Sequence, residues 1–367
     1  MSTKTIYLIL TNDCNLSCCY CYEKSKQFGR RMTIEQMHNI IDFEMQNGND
    51  DTVCFGFFGG EPFLAFDLIK DGITYLKSGN WQKKWRCITT TNGTMVHGEV
   101  QEFIVANRDV FSVFLSYDGT PAMQDVNRSK SASRIDLPFF KKLYSTGNTH
   151  ALKMTISPES LPNLYDGITF LESKGFIVHA NFAQGINWTR ANAETFRQQL
   201  DLVINHYLEH PDLPPSNLID LPIVYLREKE SSIRKYCGAG SKRFTYYLDG
   251  KRYPCQFFTP MSIGIERAKQ FEGKAFEEGI IIDLLDQKCQ DCPAVSICPT
   301  CIGTNMASFG NLYAKDDGYC RLLKYQFVAT SYFKWEQIKR GVLEINNEQK
   351  CRLLKAIYRI QSEMRIE

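Results

Sequence analysis

The chain has 367 residues, of which 43% are hydrophobic and 23% are charged, and this composition excludes a globally disordered protein. Lys and Arg number 43 and Asp and Glu number 41, so the near-neutral charge gives no sign of a nucleic-acid partner. No apolar run is long enough to span a membrane, and the first residues have no signal-peptide pattern. We therefore expect a cytoplasmic protein that binds neither nucleic acid nor membrane.

The first half of the chain alternates short apolar or β-branched runs with amphipathic segments. The predicted strands are Thr5–Thr11, Thr52–Phe58, Arg86–Thr91, Val110–Ser116, Leu152–Ser157 and Ile177–Ala183. The predicted helices are Thr33–Asn47, which opens with a capping box, Leu64–Lys77, His97–Ala106, Phe139–Tyr144 and Leu161–Lys174. This alternation indicates an α/β fold with a parallel sheet. Six such units fit either a doubly wound sheet or a partial (β/α) barrel.

The second half changes character. A longer helix is predicted at about Ala193–Leu208, and Pro211–Pro215 breaks the chain after it. Seven cysteines then lie between Cys237 and Cys320, and a charged amphipathic helix or helix pair is predicted at about Leu322–Ile366. We expect three domains, residues 1–225, 226–325 and 326–367.

Cysteine is unusually frequent, with 14 Cys against 6 His. A secreted disulfide scaffold would be shorter and denser in cysteine. In a reducing compartment, so many thiols indicate metal binding or catalysis, and thiolate-only ligation favours iron–sulfur clusters.

Three of these cysteines follow the first predicted strand. Cys14, Cys18 and Cys21 form a C-x3-C-x2-C pattern, and active-site loops of barrels lie at the carboxyl ends of strands. Three thiolates can bind three irons of a [4Fe–4S] cube and leave the fourth iron open. The alternatives are a chance group of thiols or a partial zinc site. We expect the spare Cys19 to be a small buried side chain.

This loop, with Tyr20 before its last cysteine, resembles the cluster loop of the radical S-adenosylmethionine (radical SAM) enzymes. Phe58-Gly-Gly-Glu-Pro62 resembles their GGEP motif. Thr91-Asn-Gly-Thr94 and Ser116-Tyr-Asp-Gly119, followed by Arg128, resemble elements of the members that modify peptides and proteins. The resemblance implies that SAM is bound by residues of all these motifs, namely Tyr20, Gly59, Gly60, Glu61, Asn92, Ser116 and Arg128. In the family the GGEP element binds the amino group, and the Ser and Arg positions contact the ribose and the carboxylate. For Asn92 and Asp118, bracing a turn is as good an interpretation as contact with the ligand.

The later cysteines have the spacing C-x12-G-x4-C, then C-x2-C-x5-C-x2-C, then a final Cys320. A zinc ribbon is the alternative, although its cysteine pairs usually stand farther apart. The pattern resembles the SPASM domain of radical SAM enzymes, except that the family has C-x3-C at the last interval. The resemblance implies an outer cluster on Cys289, Cys292, Cys298 and Cys320 and an inner cluster on Cys237, Cys255 and Cys301. With no cysteine in 228–236, we expect an open iron or a non-cysteine ligand in the inner cluster.

The resemblance implies a partial (β/α)6 TIM barrel, a SPASM domain with two auxiliary clusters, and three [4Fe–4S] clusters in all. It implies cleavage of SAM to a 5′-deoxyadenosyl radical that takes hydrogen from a peptide or protein. Within this class, we expect maturation of a ribosomal peptide by a thioether or other cross-link. The alternatives are formylglycine formation with Asp220 as base, modification of a small molecule, and a non-catalytic scaffold.

The same resemblance implies two kinds of partner besides the substrate. The electron donor would be of the flavodoxin or ferredoxin type. Since the first strand is predicted to begin at Thr5, we expect no leader-binding domain ahead of it. A separate partner or the C-terminal segment would then recognise a leader peptide.

Overall fold

A computed structural model describes residues 2–146, 150–226, 234–235, 237–277 and 279–366. The predicted domain boundary at 225/226 lies next to residues 227–233, which are outside the described residues. Most of the segment 228–236, predicted from its lack of cysteine to leave the inner cluster with an open iron, is therefore also outside them. None of the described helices is long and apolar enough to cross a membrane.

The described strands are, in chain order, β1 Thr3–Thr11, β2 Thr52–Gly59, β3 Lys84–Thr91, β4 Phe111–Leu115, β5 Leu152–Ile156, β6 Val178–Phe182, β7 Arg234–Lys235, β8 Arg243–Tyr246, β9 Arg252–Tyr253 and β10 Ile280–Ile281. All six predicted strands are present, with ends within two residues of the prediction. The short strands β7 to β10 were not predicted, because runs of two to four residues carry no recognisable period.

The described α-helices are α1 Ile34–Gln46, α2 Phe66–Ser78, α3 Glu99–Ala106, α4 Pro121–Asn127, α5 Leu137–Ser145, α6 Leu164–Ser173, α7 Arg190–Glu209, α8 Pro260–Ile263, α9 Ile265–Ala268, α10 Gln287–Gln290, α11 Ile302–Phe309, α12 Asp317–Arg340 and α13 Asn347–Glu363. The predicted capping box is confirmed, since Thr33 accepts from the Gln36 amide and the Gln36 side chain caps Thr33 in return. The C-terminal segment is a helix pair, α12 and α13.

The chain forms two compact units, and the first comprises Met1–Tyr117, Gln124–Lys153 and Gly238–Glu278. Its sheet has the order β4-β3-β2-β1-β8-β9, with β1 to β4 parallel, β8 parallel to β1 and β9 antiparallel to β8. Side chains on β1 and β2 such as Ile6, Leu8, Phe55 and Phe57 are fully buried. The α/β class is confirmed, and the carboxyl ends of β1 to β4 come to the same edge.

Two strand pairings were not predicted from the sequence. β8 occupies the open side of β1, so part of the cysteine-rich segment extends the N-terminal sheet. A parallel bridge joins Ser116, just after β4, to Lys153 on β5, and β5 pairs with β6. Closure of these strands into a partial barrel stays a prediction.

The second unit comprises Asp118–Met123, Met154–Cys237 and Gly279–Glu367. Its largest helical contact joins α7 to α12, and α13 packs against α12. The buried side chains of α7 include Phe196, Leu200, Val203 and Tyr207, while α12 buries Leu322, Phe327 and Phe333. An apolar helix interface therefore supports the segment that carries most of the later cysteines.

Gly60 lies where two strand ends meet, and this position has no room for a side chain. A Cβ on Gly60 would lie 2.2 Å from the carbonyl oxygen of Asp13. We predict that Gly60→Ala lowers the free energy of unfolding by about 1–3 kcal/mol, because the backbone must move apart, and that it also lowers iron loading. Gly250→Ala is the control, since its only penalty is a positive φ of 76° with open space around the Cβ. Urea unfolding and iron analysis of both variants test this, and full iron loading of Gly60→Ala would contradict it.

Candidate active site and cysteine centres

The end of β2 docks on the end of β1 through the backbone. The amide of Gly60 donates to the Thr11 carbonyl at 2.9 Å, and the amide of Glu61 donates to the Asp13 carbonyl at 2.8 Å. A Cβ on Gly59 would lie 2.2 Å from the Thr11 oxygen. In the structure, these glycines allow close approach of two protein segments, which places Glu61 beside the loop of Cys14.

Glu61 is buried and its carboxylate accepts three hydrogen bonds. Oε1 accepts from the amide of Phe63 at 3.1 Å and from the hydroxyl of Thr91 at 2.8 Å, and Oε2 accepts from the amide of Asn92 at 2.8 Å. Burial raises the pKa of Glu61, although these donors and the charge of Arg128 act in the opposite direction. A carboxylate offers about four acceptor positions, so one on Oε2 is not used by these bonds.

Asn92 braces the turn after β3. Its Oδ1 accepts from the amide and the hydroxyl of Thr94, and its Nδ2 donates to Oδ1 of Asn15 at 2.9 Å. Asn15 in turn donates to the Thr94 hydroxyl at 2.8 Å. The turn after β3 and the loop between Cys14 and Cys18 are therefore held in one hydrogen-bonded network, and a contact of Asn92 with SAM stays a prediction.

The segment after α4 holds the other side of the cysteine loop. The amide of Cys19 donates to the Asn127 carbonyl at 3.0 Å, and the amide of Ser17 donates to the Ser129 hydroxyl at 2.8 Å. Between these two contacts, the guanidinium of Arg128 lies over the Tyr20 ring, 5.4 Å from its centroid. Such a cation–ring contact orients the guanidinium.

Two consecutive non-glycine residues next to Arg128 have left-handed backbones, Ser129 with φ 54° and Lys130 with φ 52°. Such conformations cost free energy and persist only where surrounding contacts fix them. Here the Ser17 amide donates to the Ser129 hydroxyl, and the Lys130 amide donates to the Asp125 carbonyl at 3.0 Å, so the strained pair lies beside the cysteine loop.

Charged side chains surround the three loop cysteines. Burial raises the pKa of the Cys14 thiol, the nearby Lys26 ammonium lowers it, and the Glu61 and Glu23 carboxylates raise it. Lys26 forms a largely buried ion pair with Glu23, with Nζ and Oε2 3.1 Å apart. This pair was not predicted from the sequence, although the i, i+3 spacing just after Cys21 was its signal.

Cys19 was predicted to be buried, and that prediction is wrong. Cys19 is exposed, whereas Cys14, Cys18 and Cys21 are half-buried. The loop turns at this point, with the Cys21 amide donating to the Cys18 carbonyl at 3.1 Å. Cys54 on β2 and Cys87 on β3 are buried in the core.

Ser116 and Asp118 lie at and beyond the end of β4. Ser116 is buried and its amide donates to the Thr91 carbonyl at 2.9 Å, which continues the pairing with β3. Asp118, in the second unit, is fully buried and its Oδ1 accepts from the Thr155 amide at 2.8 Å. This bond braces the backbone of β5. The contact of Ser116 with SAM stays a prediction.

The second unit brings the four predicted outer-cluster ligands to one pocket. The residues that line it include Cys289, Cys292, Cys298 and Cys320. Each of Cys289, Cys292 and Cys320 lies within electrostatic range of Cys298. Burial, followed by the neighbouring thiols, raises the pKa of Cys289 to about 11 and that of Cys320 to about 12.

Two lysines that the sequence analysis did not single out also line this pocket. Lys315 and Lys324 both lower the pKa of Cys292 and Cys320 against the effect of burial. Thiolates bind metal in the deprotonated form, so these cations favour the ligand form of the cysteines.

The predicted inner-cluster ligands belong to different units. Cys255 is buried in the first unit, and Cys237 and Cys301 are half-buried in the second. Their assignment to one cluster stays a prediction.

Asp220, the predicted base, forms an ion pair. Its Oδ1 lies 2.5 Å from Nζ of Lys334 on α12, and the Asp220 side chain is 39% exposed. The amide of the following residue, Leu221, donates to the Thr330 hydroxyl. These contacts fix the loop before Leu221 to α12, and a catalytic role for Asp220 stays a prediction.

The donor set at both cysteine groups fits iron–sulfur clusters. None of the 14 cysteines forms a disulfide. In the described part of the chain, no three Cys, His, Asp or Glu side chains converge on the position of a single metal ion. Each thiolate of a [4Fe–4S] cube binds a different iron, so its ligands need not converge on one ion.

The first unit matches a known family. Residues 8–131 match the model of the radical SAM superfamily, and this range contains the three loop cysteines, Glu61 and Arg128. Residues 8–131 are therefore a radical SAM domain, which supports the prediction of an enzyme that uses SAM radical chemistry.

Two relatives show how far the similarity extends. A cysteine-type anaerobic sulfatase-maturating enzyme of Clostridium novyi is 24% identical over 353 residues, which cover 86% of this chain and 92% of the relative. An uncharacterised protein of Methanocaldococcus jannaschii is 27% identical over 175 residues, which cover 47% of this chain and 59% of the relative. The chain thus spans less than two thirds of one relative and nearly all of the other.

Two solved structures share the fold. The structure of anSMEcpe with bound AdoMet and Cp18Cys peptide has a TM-score of 0.69 at 16% identity, covering 93% of this chain and 100% of that chain. Streptococcus suis SuiB bound to precursor peptide SuiA has a TM-score of 0.60 at 14% identity, covering 87% and 76%.

We predict that Cys298→Ala removes the iron of one cluster, because Cys298 interacts with the three other cysteines of its pocket. The remaining clusters should stay. Cys351→Ala is the control, since Cys351 is exposed on α13. Iron and sulfide analysis after anaerobic reconstitution measures the effect, and equal iron in both variants would contradict the prediction.

Proposed function

We propose that this enzyme modifies a side chain of a peptide or protein substrate. SAM would bind at the carboxyl ends of β1 to β4, and Cys14, Cys18 and Cys21 would hold a [4Fe–4S] cluster there. When bound, cluster and SAM together supply a 5′-deoxyadenosyl radical that takes a hydrogen atom from an unactivated carbon.

One observation supports the SAM site. The buried Glu61 carboxylate interacts electrostatically with the buried Arg128 guanidinium, and also with the Cys14 thiol. The amino-acid part of SAM carries an amino group and a carboxylate. Glu61 has an acceptor position for an N–H of the amino group, and the fork of Arg128 suits the carboxylate. Tyr20 and Ser129 would keep this arrangement in place, through the ring beneath Arg128 and the bond to Ser17.

The peptide substrate is supported by the comparisons. The Clostridium novyi relative is named as a sulfatase-maturating enzyme, and both solved structures hold peptides. Auxiliary clusters on the later cysteines would make three clusters in all. Within this class we propose formation of a thioether or other cross-link, since the inner cysteine set has three members in our assignment.

Formylglycine formation is the second candidate, and it is favoured by the match to nearly the full length of the Clostridium novyi enzyme. Product mass separates the two reactions. A thioether cross-link removes two hydrogens from the peptide, whereas conversion of Cys to formylglycine replaces the thiol by an aldehyde oxygen. The Cp18Cys peptide is the probe, and the absence of any change in its mass or in 5′-deoxyadenosine output would count against a peptide substrate of this type.

We predict that Cys14→Ala abolishes production of 5′-deoxyadenosine, because it removes one of three cluster ligands. Cys19→Ala is the matched control in the same loop and should retain activity, since Cys19 is exposed and the variant keeps the bond from its backbone amide to Asn127, losing only a long Sγ contact of 3.8 Å to Oδ1 of the same residue. The assay is anaerobic incubation with SAM and dithionite, followed by chromatography. The assignment fails if Cys19→Ala is the inactive variant.

We predict that Arg128→Gln raises the KM for SAM by about 10- to 100-fold, which corresponds to loss of ~1.5–3 kcal/mol of charge-assisted hydrogen bonding. Lys130→Gln should leave KM unchanged, because the Lys130 side chain is exposed. Initial rates of 5′-deoxyadenosine formation over a SAM series provide the measurement. An Arg128→Gln enzyme with the normal KM would place the SAM carboxylate elsewhere.

Asp220 provides a test between the two reactions. If Asp220 only pairs with Lys334, then Asp220→Asn and Lys334→Met each lower the free energy of unfolding by about 0.2–1 kcal/mol, as for partly exposed ion pairs, and product formation persists. We expect this outcome for cross-linking. Loss of product in Asp220→Asn with normal 5′-deoxyadenosine formation would instead favour the base role and formylglycine.

A further inference from the structure

The segment that follows the loop cysteines packs against the segment that carries Cys255. Tyr22, next to Cys21, stacks on Phe257, two residues after Cys255. The ring centroids are 4.4 Å apart and the planes are inclined by 29°. All four residues belong to the first unit. Neither aromatic residue belongs to the motifs that predict the SAM site.

Two further contacts join the same parts of the chain. The amide of Ser25 donates to the Met261 carbonyl at 3.0 Å. Nδ2 of Asn12, at the start of the cysteine loop, donates to the Tyr247 hydroxyl at 2.7 Å in a buried position. The loop of Cys14 to Cys21 is therefore attached to the 247–261 region on both sides of its cysteines.

We propose that Tyr22 and Phe257 are a positioning pair that couples the SAM-binding cluster to the Cys255 segment. The proposal rests on the proposed function, because it requires a cluster on Cys14, Cys18 and Cys21. The stacked rings fix the Cys21 end of the loop and cover part of it against solvent. A movement of the Cys255 segment on cluster or substrate binding would then reach the SAM cluster through this contact.

The direction of the expected change in midpoint potential follows from the charge of the cluster. A reduced cluster carries one more negative charge than its oxidised form, and a dry, apolar environment disfavours that extra charge. Removing either ring admits water beside Cys21. The midpoint potential of the SAM cluster should therefore rise.

The test is a reductive titration of the full-length, anaerobically reconstituted enzyme, followed by electron paramagnetic resonance. The SAM cluster is recognised as the signal that changes when SAM is added. Tyr22→Leu and Phe257→Leu should each raise its midpoint potential, and the double variant should shift no further than the larger single shift, because both remove one contact. Tyr22→Phe keeps the ring and should keep the potential.

Phe271→Leu is the matched control, since Phe271 packs against Phe258, next to Phe257, with ring centroids 4.6 Å apart and planes inclined by 47°. It should leave the potential unchanged. Loss of the SAM-responsive signal in both leucine variants, with Tyr22→Phe and Phe271→Leu normal, also supports the coupling. An unchanged potential in either folded leucine variant, or additive shifts in the double variant, overturns it. Wild-type enzyme that makes no 5′-deoxyadenosine would instead refute the proposed function.

Discussion

The site depends on the backbone contact between the ends of β1 and β2. Two amides, those of Gly60 and Glu61, donate to the carbonyls of Thr11 and Asp13, and the approach leaves no space for a Cβ at Gly59 or Gly60. This contact fixes the cysteine loop to the sheet edge. It also places Glu61 where its carboxylate accepts bonds from the end of β3. The cysteine loop, the sheet edge and the Glu61 carboxylate are therefore joined by one set of hydrogen bonds.

The same arrangement explains why cationic side chains lie near Glu61 and the cysteines. The buried Glu61 carboxylate and the Cys14 thiol lie close together, and burial raises the pKa of both groups. Arg128, from the segment after α4, and Lys26, just after the loop, offset the negative charge. In the second unit, Lys315 and Lys324 have the equivalent relation to Cys292 and Cys320. Both cysteine centres thus combine thiols with buried or half-buried cations.

Much of this could be predicted from the sequence. The six long strands follow from apolar runs that end in turn residues, and the grouping of Cys289, Cys292, Cys298 and Cys320 is what the resemblance to the SPASM pattern implies. The pairing of β8 with β1 could not be predicted, because a four-residue strand is defined by its partner rather than its own pattern. Lys26, Ser129 and the Tyr22–Phe257 stack were missed for a related reason. Each acts through a neighbour brought close only by folding.

The central claim is that Cys14, Cys18 and Cys21 hold a cluster with one iron open to SAM. Electron–nuclear double resonance of the reduced enzyme, with SAM labelled in its amino and carboxylate groups by nitrogen-15 and oxygen-17, measures this directly. We predict hyperfine coupling from both labels to the cluster, which requires SAM bound at the open iron. A reduced cluster without coupling to either label, or zinc in place of iron at these cysteines, would contradict the account.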